Sequence, residues 1–398
     1  MQIILFDSPT VRTALLPLTY ARPVAGLRCG MLTTAECWRR RTDSEVAVLT
    51  QDYLQPDFPL AAGDDNLFVD GSLRPTVELL SLLPQLEPNS GYTLSGELVL
   101  LRADRSTAGH FISEGTAPDH CTTEPLPHLP LLRFTRPADL FLNNDRALRE
   151  DFELLTAGRT STEVSATNTI IGPRDQLFLE PGVTLEACTI NVSSGPVYLG
   201  REAVVLEGCL LRGPVAAGAG AVLKMGTKVY GATTLGPSCK VGGEINNVVF
   251  QAHSNKGHEG FLGNAVVGEW CNIGADTNAS NLKNDYGEVK VWSYAEEAMI
   301  PSGLQFHGLI LGDHSKVGIN TMFNTGTVVG YSCNVFGAGF PPSFLPSFTW
   351  GGAESRAEYR LDRALDTAER MIARRGRIFG ERERAVFTRI FEDTARFR

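Results

Sequence analysis

LGDHSKVGINTMFNTGTVVGYSCNV, residues 311–335, decides the fold. Leu311, Val317, Phe323, Val329 and Val335 stand six apart, and glycine, asparagine and small polar residues fill the gaps. An ordinary strand repeats every two residues and a helix roughly every 3.6, so neither explains this period. Period six is the mark of a parallel β-helix, where each unit is one short strand plus a turn and three units close a triangular coil. The recurring apolar residue points into the prism, and glycine or asparagine tolerates the positive φ of the corners. The same register appears upstream at Leu199, Val205, Leu211, then Val229, Leu235, Val241, then Val267 and Ile273. It slips at Asn246–Phe261 and again at Asn278–Gly303, where the run NASNLKNDYG is too polar for coil. Loops that leave a rigid solenoid are where function concentrates.

Between and beside those breaks lies SNKGHEGFLGNAVVGEWCNIGADTNASNLKNDYG, residues 254–287. It holds the triplet Lys256, Gly257, His258 and a cluster of Asn and Lys side chains. An amine attacks a thioester only when unprotonated, and histidine is the side chain whose ordinary pKa suits it to take that proton. His258 is therefore the candidate general base for acyl transfer to an amine, with Gly257 leaving room for a slender donor arm. The competing reading is a histidine with no role beyond its loop.

Composition sets outer limits. At 398 residues the chain has room for two or three domains. A net charge of −9 argues against nucleic acid or an anionic membrane as partner, so an anionic substrate must meet local Lys and Arg. The eight cysteines form no Cys-x-x-Cys pair, which fits reduced thiols in a cytoplasmic protein and gives no zinc motif. MQIILFDSPT begins directly as a strand, without a signal-peptide pattern, and no apolar run reaches membrane-spanning length.

Residues 1–155 are expected to form an α/β domain. Ile3–Phe6, Val46–Leu49, Leu67–Asp70 and Glu97–Leu101 read as strands, the first two as buried parallel ones. Met31–Arg40 reads as a helix capped by Thr33 or Thr34, Thr76–Leu83 as a second, and Leu148–Leu155 as the closing one. Residues 156–340 are the expected β-helix. The tail, 341–398, reads as an aromatic loop followed by two amphipathic helices, Leu361–Ile372 and about Glu381–Phe397, that cap the solenoid or make an oligomer contact.

Two segments carry a family resemblance. Lys228–Gly287 resembles the acetyltransferase half of the bifunctional N-acetylglucosamine-1-phosphate uridyltransferase/glucosamine-1-phosphate N-acetyltransferase family, whose shorter variant, known mainly from Bacteroidetes, is the nearer match. Arg12–Pro23, RTALLPLTYARP, resembles the signature loop of sugar-nucleotide nucleotidyltransferases. The glycines of that loop are replaced by Asp7, Ser8 and Pro9, and its lysine by Val24. The resemblance implies a left-handed parallel β-helix, a homotrimer and a small sugar phosphate as partner. Acetyl-CoA would donate to glucosamine-1-phosphate, and UTP with Mg2+ would supply the uridylyl group that completes UDP-N-acetylglucosamine. It implies His258 and Asn281 as catalytic, and Lys228, Asn272, Lys256 and Lys283 at the sugar and its phosphate. Lys290 is a further source of charge, because Asn246 replaces a phosphate-binding lysine. Phe261 and Leu282 each replace a tyrosine. Arg12 and Arg22 would meet nucleotide phosphates and Asp70 a metal; the other reading makes the first domain inactive or structural, with Asp70-Gly71 a turn.

Two further alternatives remain. One is an acyltransferase for another amino sugar. The other is a zinc β-helix, because His253 and His258 share the five-residue spacing of β-helical carbonic anhydrases. Zinc needs a third histidine; the nearest upstream is His128, in the other domain, and His307 and His314 lie beyond a long insertion.

Overall fold

The computed structural model describes residues 1–398. By its contacts the chain divides into one unit made of Met1–Leu15, Arg22–Leu27 and Leu32–Arg136, and another of Leu16–Ala21, Arg28–Met31 and Pro137–Arg398.

The first unit is built on a six-stranded sheet in the order Val46–Leu49, Gln2–Phe6, Asp65–Asp70, Glu97–Asp104, Ser90–Leu94, Thr122–Pro125. Both faces are covered: Ile3 and Leu5 join Trp38, Leu67, Val69 and Leu79 on one side, while Ile4 and Phe6 join Phe68, Leu101 and Phe111 on the other. That is why the strands read as continuous apolar runs. The first three strands are parallel, but Glu97–Asp104 runs antiparallel to both its neighbours. The strand Ser90–Leu94 was not foreseen. Its signal was Ser95-Gly96, a two-residue hairpin turn with φ of 54° and 84°. The helix Thr34–Thr42 starts where expected, with Thr33 and Glu36 exchanging capping-box bonds.

In the second unit the period-six register becomes three parallel faces. One stacks Lys228–Tyr230 on Glu244–Asn246, then Phe261–Gly263, then Asn278–Ala279, then Met322–Phe323. The next carries Thr233–Leu235, Val248–Phe250, Ala265–Val267, Ile310–Leu311 and Val328–Val329. The third carries Val222–Leu223, Lys240–Val241, Asn255–Lys256, Asn272–Ile273, Lys316–Val317 and Asn334–Val335. Each strand sends one or two side chains inward, and these residues make a single core from Leu177 to Leu345. The expected α/β unit, hexapeptide β-helix and C-terminal helical extension are all present.

Three local readings gain detail. The first break is a register slip within the coil: Glu244–Phe250 and Phe261–Val267 each run through a corner as one strand, paired from Glu244↔Phe261 to Phe250↔Val267. Asn247 and Asn264 turn that corner with φ of 55° and 45°, so no extra turn residues are needed and the repeat shortens. The second break begins later than the polar run suggests, since Asn278–Ala279 is still coil and the antiparallel hairpin Lys290–Ser293/Ala298–Pro301 forms within the excursion. The aromatic stretch after Phe340 also adds strands, with Phe344–Leu345 pairing Val328–Val329 and Trp350 pairing Asn334.

Helices Leu361–Ala373 and Glu381–Asp393 follow. Phe387 meets His314, Tyr331, Phe348 and Phe379 edge-on, so the last helix covers a corner of the prism. The helix Asn144–Thr156, expected to close the first unit, packs Leu148 against Ala216 and Ala232 of the solenoid. No helix is long and apolar enough to cross a membrane. All eight cysteines are free, and all but Cys121 are buried.

Phe250 is fully buried in the prism. Phe250→Ala should cost about 3–5 kcal/mol through lost contacts and the cavity left behind, read as a lower unfolding midpoint with unchanged β signal at low temperature.

Candidate active site

His258 sits on the corner Gly257–Gly260, between the strands Asn255–Lys256 and Phe261–Val267. The corner is tied on both sides: Gly242 N donates to Lys256 O at 2.6 Å, Glu244 N to Gly260 O at 3.2 Å, and Asp276 N to Glu259 O at 3.0 Å. Gly260 has φ of 115°, and a Cβ there would lie 2.2 Å from Thr277 O, so only glycine fits. The backbone is thus held while the His258 side chain stands exposed.

Two faces flank this corner. On one, Lys228 stands 3.7 Å from Glu259, a solvent-screened pair that contributes little stability. The Tyr230 hydroxyl donates to Glu244 at 2.6 Å, and that bond, with burial, pushes the phenol up to about 12. Asn278 accepts from Phe261 N at 2.8 Å. On the other face Asn255 donates to Asn272 at 2.8 Å, which leaves Asn272 exposed on the outside of its strand.

Asn281 lies across the first of these faces, at the far corner. Its Nδ2 donates to Asn264 Oδ1 at 2.7 Å. With the Asn247 amide turned to satisfy its neighbours, Asn264 donates to Asn247 at 3.0 Å, and Asn247 donates to the carbonyls of Phe141 and Ala232. Three stacked asparagines therefore orient the amide of Asn281. Gly263 leaves the space between: a Cβ on it would come within 2.6 Å of the Phe261 ring and 2.7 Å of Asn281 Nδ2.

Lys283, paired at 3.3 Å with Asp285, and Lys290 line an open cleft of about 720 Å³ with Ser280, Leu282 and Met299. Lys256 is placed differently from the expectation. It is 1% exposed and points inward, with its ammonium on backbone carbonyls, so it is not a surface contact for a sugar phosphate. The sequence reading also passed over Tyr230, Glu244, Asn255, Asn264 and Asn278. Their signal was register: each stands at an outward or corner slot beside the residues already named.

The histidines do not converge. His253 stacks on Trp270 at 4.3 Å and shares a 2.9 Å hydrogen bond with Arg377. Burial, aided by Arg377 and Arg375 and opposed by Glu269, holds its imidazole below the usual value. His307 is buried with Nδ1 on Gly308 O. No group of three His, Cys, Asp or Glu side chains comes together to hold a metal ion, so the zinc reading lacks its ligand set.

In the first unit the three residues expected at the nucleotide are buried and engaged. Arg12 donates to Asp7 at 2.7 Å, to Tyr53 at 2.9 Å and to Arg22 O at 3.1 Å. Asp7 also accepts from Thr50 and Val24, yet burial keeps its carboxyl above the usual carboxylate value. Asp70 is fully buried, with Oδ1 on Ser72 and Oδ2 on Arg133 at 3.0 Å. Mg2+ keeps several waters and needs carboxylate oxygens open to them. A helix, Pro9–Ala14, also replaces the glycine-rich cradle. Arg12, Arg22 and Asp70 do not fit UTP with Mg2+.

Residues 3–160 match the family model described as sugar nucleotidyl transferase. Over part of its length the chain is similar to bifunctional GlmU proteins. It is 30% identical over 90 residues to the bifunctional protein GlmU of Methanocaldococcus jannaschii, a match covering 23% of this chain and 21% of that one. Against the bifunctional protein GlmU of Synechococcus elongatus the identity is 22% over 275 residues, covering 63% of this chain and 57% of the relative. An Escherichia coli protein named as uncharacterized acetyltransferase YaiX is 26% identical over 142 residues, 35% of this chain and 61% of its own. These matches span from about a fifth to about three fifths of the relatives' lengths. A solved structure, UDP-N-acetylglucosamine acyltransferase from Campylobacter jejuni, aligns with TM-score 0.31 at 13% identity, covering 59% of this chain and 85% of that one.

Arg12→Ala leaves the Asp7 carboxyl buried without its cation, which should cost the first unit about 3–5 kcal/mol, measured by denaturant unfolding. Weaker UTP binding at unchanged stability would instead mark Arg12 as a ligand contact.

Proposed function

We propose that the β-helix transfers an acetyl group from acetyl-CoA to the amine of glucosamine-1-phosphate, with His258 as general base. The observation that carries this reading is the exposed His258 ring on a backbone corner bonded to the coils on both sides. The amine nitrogen attacks the thioester carbonyl, His258 takes its proton, and the CoA sulfur leaves and is protonated. Asn281 orients the amine and the thioester oxygen; Asn272, Lys228 and Lys283 meet the sugar and its phosphate. The acyl donor lies between neighbouring prisms of a homotrimer. A positioned base contributes roughly 10²–10⁴-fold, and orientation of the two substrates supplies much of the rest.

For the first unit, the family match supports transfer of a uridylyl group to N-acetylglucosamine-1-phosphate. The sealed pairs of Arg12 and Asp70 favour a second reading, in which this unit is inactive and the acceptor of the β-helix is another amino sugar. Arg12, Arg22 and Asp70 carry no step of nucleotidyl transfer in either.

His258→Ala should lower kcat for CoA release with an amino-sugar phosphate by roughly 10²–10⁴-fold at an unchanged unfolding midpoint. Full activity in that variant, or no CoA release by the wild type with any amino sugar, would end the proposal. On the second reading UTP and N-acetylglucosamine-1-phosphate yield no pyrophosphate; release would restore the bifunctional one.

A further inference from the structure

In the third face of the prism the inward side chains run Leu223, Val241, Lys256, Ile273, Val317, Val335. Five are aliphatic, and one is a lysine 1% exposed. Its ammonium lies 2.8 Å from Gly260 O, 3.0 Å from His258 O, 3.2 Å from Gly242 O and 3.4 Å from Glu259 O. Three of those four oxygens belong to the corner that bears His258, and the fourth to the corner one coil before it. An ammonium has three protons to give, so these carbonyls use its whole donor capacity.

Removing a charge from water without a bonded carboxylate costs free energy that an aliphatic residue would not. Isoleucine or valine fills the equivalent slot in the neighbouring coils, so core packing gives no reason for lysine here. The ammonium bonds the 258, 259 and 260 carbonyls together, two of which also accept backbone N–H groups from the adjoining coils, while the His258 side chain stands exposed. We propose that Lys256 is a positioning residue: its ammonium sets the conformation of the 257–260 corner and so aims His258 at the acceptor amine. Its link to catalysis rests on the assignment of His258 as base; the effect on the corner does not.

Burial lowers the Lys256 ammonium to about 8, with Glu259 and Asp276 opposing that shift and Lys228 adding to it. The fold therefore binds this proton less tightly than the unfolded chain does. Between about 8 and the ordinary lysine value, stability rises with pH as the folded form sheds the proton. Positioning runs the other way, because the neutral amine grips three carbonyls less well. Activity should then fall as pH rises through about 8 while stability does not.

Lys316 supplies the control. Lys316 is half-buried at the outward position beside Asn272; burial of its ammonium lowers it to about 8, and it rests on the carbonyls of Trp270 and His314, away from the His258 corner. Lys256→Met and Lys316→Met are compared by amide hydrogen exchange, thermal unfolding and kcat against pH. Lys256→Met is expected to speed exchange across 257–260 by about tenfold or more with the midpoint unchanged or raised. It should lower kcat by about 10–100-fold with KM nearly constant, and the fall in kcat near pH 8 should disappear. Lys316→Met should leave the exchange of 257–260, kcat and the alkaline fall as in the wild type. Unchanged exchange at 257–260 in Lys256→Met, or equal effects in both variants, would overturn the proposal. Wild type that releases no CoA sinks the acetyl-transfer reading alone, since exchange still decides whether Lys256 holds the corner.

Discussion

The second unit depends on one constraint: every short strand must place one side chain inside a triangular prism while its backbone bonds to the coils on either side. The first requirement supplies the hydrophobic core, a column of aliphatic and aromatic residues at each face. The second leaves little freedom to a backbone bonded above and below. Corners are where the constraint binds hardest, because the chain must turn between faces in one or two residues. Asn247, Asn264 and Gly260 accept the positive φ this requires. A side chain mounted on such a corner has a fixed origin, and His258 is mounted that way.

Polar groups are tolerated in this architecture only where the corners can satisfy them. The asparagine stack Asn247–Asn264–Asn281 passes hydrogen bonds from coil to coil and ends at the excursion that begins after Asn281. Lys256 does the same from inside, through the backbone carbonyls of the His258 corner. Both arrangements run along the direction in which coils stack, so each ties the corner or amide it serves to its neighbours. The outward residues Lys228, Glu244, Phe261 and Asn278 form a column between these two edges.

The first unit obeys different physics. Its sheet is covered on both faces, and two of its buried carboxylates are paired with arginines: Asp7 with Arg12, Asp70 with Arg133. Breaking such a pair leaves an uncompensated buried charge, so each pair holds the fold together with no ligand contact. The loop motif that resembles a nucleotide site therefore reads, in this structure, as a buried network around Asp7.

The β-helix, four of the six strands of the first unit and the two terminal helices were legible in the sequence, because each rests on local periodicity and capping that do not depend on distant residues. Chemistry and family resemblance singled out His258 and Asn272; the structure puts the first at a corner and the second on an outer face. What the sequence left undecided was direction and partnership. Lys256 lies next to His258 in a polar triplet, yet the inward slot it occupies follows from Val241 one coil earlier. Arg12 and Asp70 match residue types used at nucleotide sites, but Asp7, Tyr53, Ser72 and Arg133 reach them only across the fold. Sequence determines which side chains are offered; whether a charged one meets water, a substrate or a buried partner is decided by which distant backbone and side-chain groups the tertiary fold brings to it.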